Sequence, residues 1–384
     1  MKVLILGGDG YLGWPTAMHI SALGHDVTVV DNYLRRSLSR EENVEPLYQT
    51  PNLHERADLW RQDTGREMQV LVGDLQNWDV MREAFERSSP DCIVHYAEQP
   101  SAPYSMLGRR AAMLTLSNNL TVTANLIFAV REFTPSAHII KLGTMGEYGT
   151  PNIDIEEGWL EVEHKGRRDK FLFPRAAGSL YHTTKVLDTD LLWFYVRMWR
   201  LRVTDLMQGP VYGIYTAENR TRPSLLPFFN YDELFGTVLN RFVVQAVAGY
   251  PLTVYGKGGQ TRGYLNLIDT IQCIRLALEN PPAEGELRIM NQFTETFTVS
   301  ELADRVVQAG KRLGLKVGVK SVENPRKEAE EHYYNPAHTA FAHLGLSPTL
   351  LTEEVLVDMM EMVIRHRDRI DRTRIFGKKR TEWK

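Results

Sequence analysis

The chain has 384 residues, 43% hydrophobic and 24% charged, a composition that excludes wholesale disorder. Its 45 Lys and Arg nearly balance 48 Asp and Glu, and a net charge of -3 gives no global field for binding nucleic acid or an anionic membrane. Two cysteines, Cys92 and Cys273, each inside an apolar run, exclude a disulfide framework and point to a reducing, cytoplasmic compartment. No apolar run approaches the ~20 residues of a membrane span, and a strand pattern starting at Lys2 leaves no room for a leader peptide.

Five short, largely β-branched runs at 3–6, 27–30, 70–72, 92–94 and 138–142 suit strands buried on both faces. Helical periodicity occupies 12–23, 77–88 and 109–133. The alternation predicts an α/β fold built on a doubly wound parallel sheet, the Rossmann arrangement. A polar, Arg/Glu-rich stretch at 34–68 reads as a partly helical insertion. Long loops at 143–180, 207–231 and 256–264 are rich in Gly, Pro and Asn, and they bracket helices at 181–199 and 235–249. Strands near 252–255 and 286–290 and helices near 299–313 and 352–370 complete the pattern. The expected division is a nucleotide-binding domain over 1–208 and a smaller α/β substrate domain mainly over 209–370, the chain crossing between them. A basic tail follows at 371–384.

Gly7-Gly8-Asp9-Gly10-Tyr11-Leu12-Gly13 follows the first strand and opens a helix. Glycines there allow a tight turn and close backbone approach to a pyrophosphate, whose charge meets the helix N-terminus. Asp31 ends the second strand 18 residues past Gly13. Its carboxylate can accept from an adenosine ribose 2′-hydroxyl and repels a 2′-phosphate, so NAD is the expected cofactor. Arg35 and Arg36 carry the opposing signal, toward NADP or a solvated loop. Asn32, Asp74 and Leu75 complete the adenosine side; Asp74 suits either the adenine amino group or a turn cap.

Tyr181 and Lys185 stand at i and i+4 and so share one helix face, while Thr144 closes the fifth strand where ligands of such sheets lie. A lysine ammonium and a positive nicotinamide ring both favour the phenolate, so Tyr181 is expected to remove a hydroxyl proton while hydride passes to NAD. Thr144 hydrogen-bonds the same oxygen.

Together these residues resemble the extended short-chain dehydrogenase/reductase superfamily. Residues 141–157, 101–106, 252–264 and 328–335 narrow the likeness to the UDP-sulfoquinovose synthase family. That resemblance implies NAD, UDP-glucose and sulfite, a 4-keto intermediate, a 4-keto-5,6-ene and UDP-6-sulfoquinovose. Related 4,6-dehydratases carry Thr-Asp-Glu where this chain reads Thr144-Met145-Gly146. Elimination must therefore recruit other groups, and Glu147 and His182 are the nearest candidates. His182 points about 100° from Tyr181 around the helix, which leaves packing and catalysis both open. Plant members read Glu-Gln-Arg-Ser where this chain has Glu98-Gln99-Pro100-Ser101. Arg220 or Arg222 could supply the missing charge. The departure motivates the alternative of a 5,6-dehydratase or 4-epimerase that does not use sulfite.

The resemblance also implies a substrate set. Gln208 touches both cofactor and sugar; Arg241 (with Asn240), Arg262 in a loop before a strand, and Arg326 form a diphosphate clamp. Gln99, Ser101, Thr253, Tyr255, Gln260 and Glu328 lie in the matching segments. Helices 109–133 and 181–199 pair two copies in this superfamily, implying a homodimer. His332-Tyr333-Tyr334 beside Glu330-Glu331 lacks ligand spacing, and no metal is expected.

Overall fold

The computed structural model describes residues 1–324 and 332–375. In chain order the first half contains β1 (Lys2–Leu6), α1 (Gly13–Ala22), β2 (Asp26–Asp31), α2 (Leu34–Glu41), α3 (Leu53–Thr64) and β3 (Met68–Val72). It continues with α4 (Trp78–Ser88), β4 (Cys92–His95), α5 (Ala102–Ser105), α6 (Arg109–Phe133) and β5 (His138–Thr144). Then come the hairpin β6 (Trp159–His164) and β7 (Arg167–Leu172), α7 (Leu180–Trp199), β8 (Arg202–Gln208) and β9 (Val211–Tyr212). The remainder is α8 (Val238–Ala248), β10 (Leu252–Tyr255), β11 (Thr261–Asn266), α9 (Leu267–Glu279), β12 (Leu287–Gln292), β13 (Glu295–Thr298), α10 (Val299–Arg312), β14 (Val319–Val322), α11 (Ala340–His343) and α12 (Glu353–Arg365).

Seven parallel strands form the main sheet in the order β12-β8-β5-β4-β1-β2-β3. Successive side chains leave a strand on opposite faces, so each apolar run feeds two cores. Val3, Ile5, Val29, Val94, Ile140 and Leu206 meet Trp14 of α1, Trp60 of α3 and Ile274 of α9. Leu4, Leu6, Ile93, Ile139 and Met207 meet Phe85 of α4, Leu126 of α6 and Leu192 of α7. β12, from beyond residue 280, is the edge strand beside β8, so the late chain returns to finish the first sheet. The smaller unit packs α8, α10 and α12 around Phe242, Leu302 and Met360.

Three features depart from the sequence reading. α9 was not anticipated: Asn266 both ends β11 and caps the helix by accepting from the Ile268 N–H, so no turn separates them. The stretch expected to be loop at 143–180 contains the β6–β7 hairpin, whose residues are largely exposed on both faces and therefore lack alternation. α6 is, by length and composition, apolar enough to cross a membrane, although half of its most apolar window is buried.

Candidate active site

The carboxyl ends of the parallel strands open on a cleft of about 480 Å³, at the point where strand order reverses between β1 and β4. Gly7, Gly10 and Gly13 form its floor at the end of β1. The N-terminus of α1 behind them has neither a capping side chain nor an acidic residue in its first turn, which leaves its N–H groups to an anion. A Cβ on Gly10 would meet protein only at an ordinary 3.6 Å, so packing alone does not require glycine there, whereas close approach of a pyrophosphate does. Asp31 lies on the same wall. Its Oδ1 accepts from the Tyr33 N–H at 2.6 Å and its Oδ2 from the Asp9 N–H at 2.9 Å, which fixes the carboxylate for a ribose hydroxyl. Burial and the neighbouring Asp9 charge push it up to about 6. These residues fit NAD.

Tyr11, Leu12, Asn32, Arg35, Asp74 and Leu75 line the cleft as well. Gly8, Asp9 and Arg36 do not. Asp9 is buried, accepting from Arg36 Nε and Nη2 at 2.7 Å each, and it also pairs with Arg56. Arg36 further donates to the carbonyls of Thr50 and Pro51. The 34–68 insertion is thus fastened to the glycine loop by a charge cluster, and Arg36 has its donors engaged inside the protein rather than facing a 2′-phosphate.

On the opposite wall, Thr144 caps a one-turn 3₁₀ helix, its hydroxyl accepting from the Gly146 N–H at 3.1 Å. Tyr181 and His182 project into the cleft from the first turn of α7, which Ser179 caps. Burial, then the charge of Glu98, drives the Tyr181 phenol above its ordinary range. Lys185 lies beneath the cleft wall. Its Nζ donates to the Leu142 carbonyl at 2.5 Å and stands 2.6 Å from Glu98 Oε1. The expected Tyr–Lys pairing therefore includes a third member, Glu98, which nothing in the local spacing announces.

Among the proposed acid–base groups, His182 reaches the cleft. A Cβ at residue 146 would lie 2.4 Å from His182 Nε2, so the imidazole occupies the space that a longer side chain would claim. Glu147 is fully buried between Lys141 at 3.4 Å and Arg175 at 3.6 Å. Met145 packs in the core.

In the substrate half, Ser101, Gln208, Asn240, Arg241, Thr253, Tyr255, Gln260 and Arg262 line the cleft. Arg262 stands in β11 rather than in the loop before it. Glu233 and Phe235, unnoticed in the sequence, join them; Tyr255 donates to Glu233 Oε1 at 2.6 Å. Gln99 is buried, and its amide is spent on Ser101 and Thr115. Arg220 pairs with Asp358 and Arg222 with Asp63, both away from the cleft. Among the described residues its arginines are instead Arg35, Arg241 and Arg262. Arg326 and Glu328 lie outside the described residues. Among the described residues no group of His, Cys, Asp or Glu could hold a metal ion.

The chain belongs to the NAD dependent epimerase/dehydratase family, which matches residues 3–291. Within it, the chain is 48% identical over 374 residues to the chloroplastic UDP-sulfoquinovose synthase of Spinacia oleracea, covering 97% of this chain and 78% of that protein. It is 45% identical over 385 residues to the UDP-sulfoquinovose synthase of Sulfolobus acidocaldarius, covering 100% and 98%. In fold it is similar to the Bifidobacterium longum UDP-glucose 4-epimerase in complex with NAD+ and UDP. The TM-score is 0.72 at 18% identity, over 96% of this chain and 100% of that one.

Proposed function

We propose that the chain converts UDP-glucose and sulfite to UDP-6-sulfoquinovose in a cleft that joins a dinucleotide floor to an arginine-bearing substrate wall. The observation that carries the chemistry is the corner formed by Thr144, Tyr181 and His182. Here a hydroxyl, a phenol and an imidazole line one cleft, and the imidazole fills the space beside Gly146 that a longer side chain would claim.

NAD supplies the hydride acceptor and donor. Tyr181 removes the proton of the C4 hydroxyl, with Thr144 bonding the same oxygen, and a ketone forms at C4. The ketone acidifies the C5 proton. His182 takes that proton and returns it to the departing C6 hydroxyl, so that water leaves and a 5,6-alkene remains. Bisulfite gives its proton to His182 as its sulfur forms the C6–S bond, His182 passes that proton to C5, and Tyr181 gives its proton back to the C4 oxygen as the ketone is reduced. The net change is exchange of the C6 hydroxyl for sulfonate with release of water, and no oxidant is consumed.

Arg241, 5% exposed and stacked over Tyr255, and Arg262 on β11 support a diphosphate clamp for the UDP moiety. The anionic nucleophile meets a cleft whose cations come from α2, α8 and β11 rather than from position 100. The exposed apolar residues of α6 and α7 support a homodimer.

Mass spectrometry of the nucleotide sugar formed from UDP-glucose, NAD-loaded protein and sulfite tests the reading. A C6-sulfonate is expected; turnover to another sugar at every sulfite concentration overturns it. In the same assay His182→Asn should retain hydride removal from C4 yet lose sulfonate formation by about 10²-fold or more. Loss of both steps together would remove His182 from the elimination.

A further inference from the structure

Behind the catalytic pair lies a dry polar cluster. Lys141 Nζ, 0% exposed, donates to Thr189 Oγ1 at 2.8 Å and pairs with Asp205 at 3.2 Å and Glu147 at 3.4 Å. Arg175 closes the far side of Glu147. Glu98, 2% exposed, sits between Lys185 at 2.6 Å and the His95 imidazole at 3.6 Å. Burial forces that imidazole down to about 3, so it is neutral, and its Nε2 shares a hydrogen bond with Thr123. Burial and the Glu98 charge raise the Asp188 carboxyl well above the ordinary carboxylate range. Glu98 is the carboxylate in contact with Lys185, whose Nζ lies 5.9 Å from the centre of the Tyr181 ring, and its charge acts on the phenol as well.

We propose that Glu98 is a positioning residue for the Tyr181–Lys185 pair: it anchors the Lys185 ammonium against the Leu142 carbonyl and sets a negative charge in the wall that carries Tyr181. Geometry carries the first part. With Nζ fixed at 2.5 Å from Leu142 and 2.6 Å from Glu98, Lys185 stands on the far side of the wall from solvent, where an unpaired ammonium would be costly. Electrostatics carries the second, since a carboxylate in a dry site disfavours a second anion beside it. The other charges facing this pair are Lys141 on β5, Glu147 on the following turn, Asp188 on α7, Asp205 on β8 and Arg35 across the cleft on α2. None of these others makes a contact with Lys185 Nζ as short as that of Glu98.

The inference rests on Tyr181 acting as the base. The phenol titration that decides it needs only NAD-loaded protein and no sugar nucleotide, so its failure is distinguishable from failure of the sulfonation reading; turnover is followed separately with UDP-glucose. Tyrosinate absorbance is titrated in wild type, Glu98→Gln and Glu98→Asp, each against its Tyr181→Phe counterpart, alongside the pH profile of turnover. Glu98→Gln should move the phenol midpoint and the rising limb of the profile down together, by about one pH unit or more. Glu98→Asp keeps the charge but withdraws it, so it should hold the midpoint while lowering kcat severalfold at unchanged KM. Midpoints of Glu98→Gln that stay at the wild-type value overturn the proposal. Should Glu98→Gln not fold, Glu98→Asp decides alone: wild-type kcat, or a midpoint displaced from wild type, overturns it.

Discussion

A buried carboxylate with two backbone N–H donors is ready for a ribose hydroxyl only while ionised, and Asp31 is held near the edge of that condition. Burial and the Asp9 charge push it up to about 6, with the N–H groups of Asp9 and Tyr33 acting in the opposite direction. As pH falls through that value the carboxyl gains a proton and loses acceptor capacity. NAD should therefore bind with roughly tenfold lower affinity at pH 5 than at pH 7, measured by calorimetry on protein stripped of nucleotide. Affinity that is flat across this range would show that Asp31 makes no charged contact. Spacing alone locates Asp31, Thr144, Tyr181 and Lys185, because each stands at a strand end or a helical repeat. It does not locate Glu98, whose partner Lys185 lies 87 residues further on and meets it only through the order of β4 and β5 in the sheet.

The 34–68 insertion carries α2 and α3, and what those helices are for is not visible in their own residues. Its polarity says only that it is a partly helical insertion, but Arg56 is fully buried, with its guanidinium over Trp14 and against Asp9. α3 starts on a capping box, Asn52 with Glu55, and Trp60 behind it donates to Ser21 of α1. The insertion is thus clamped to the dinucleotide loop through Asp9. Asp9→Asn should leave Arg56 and Arg36 short of a counter-charge in a dry site and cost about 3 kcal/mol or more. Urea unfolding followed by intrinsic fluorescence should show that loss as a lower midpoint with NAD absent. A midpoint within error of wild type would mean that the arginines find other partners. α9 escaped notice for the converse reason: an apolar helix joined directly to a strand offers no punctuation, so periodicity alone merges the two.

At the scale of the molecule, α6 and α7 carry apolar residues on two faces. One face is the core: Leu126 and Leu192 pack beneath the sheet. The other leaves Met113, Phe128, Leu187, Phe194 and Met198 exposed at 39% to 57%, with Phe128 edge-on to Tyr195 and Trp199. Single exposed apolar side chains need no explanation, but Leu187, Phe194 and Met198 recur at i, i+7 and i+11 on one face of α7, with Phe128 of α6 beside its end, and such a stripe suits a partner. A second copy applied by a two-fold axis would cover it with the same surface, since an isologous contact needs one self-complementary patch. The catalytic corner is on the first turn of α7, so an interface along that helix would also stiffen the support of Tyr181. Sedimentation velocity should find a dimer at micromolar concentration, and Phe128→Asp with Phe194→Asp should shift it to monomer, because burying two carboxylates per copy opposes association strongly. The monomer should keep its far-ultraviolet dichroism, since neither side chain belongs to the core. A wild-type chain that sediments as a monomer throughout would leave this face to another partner.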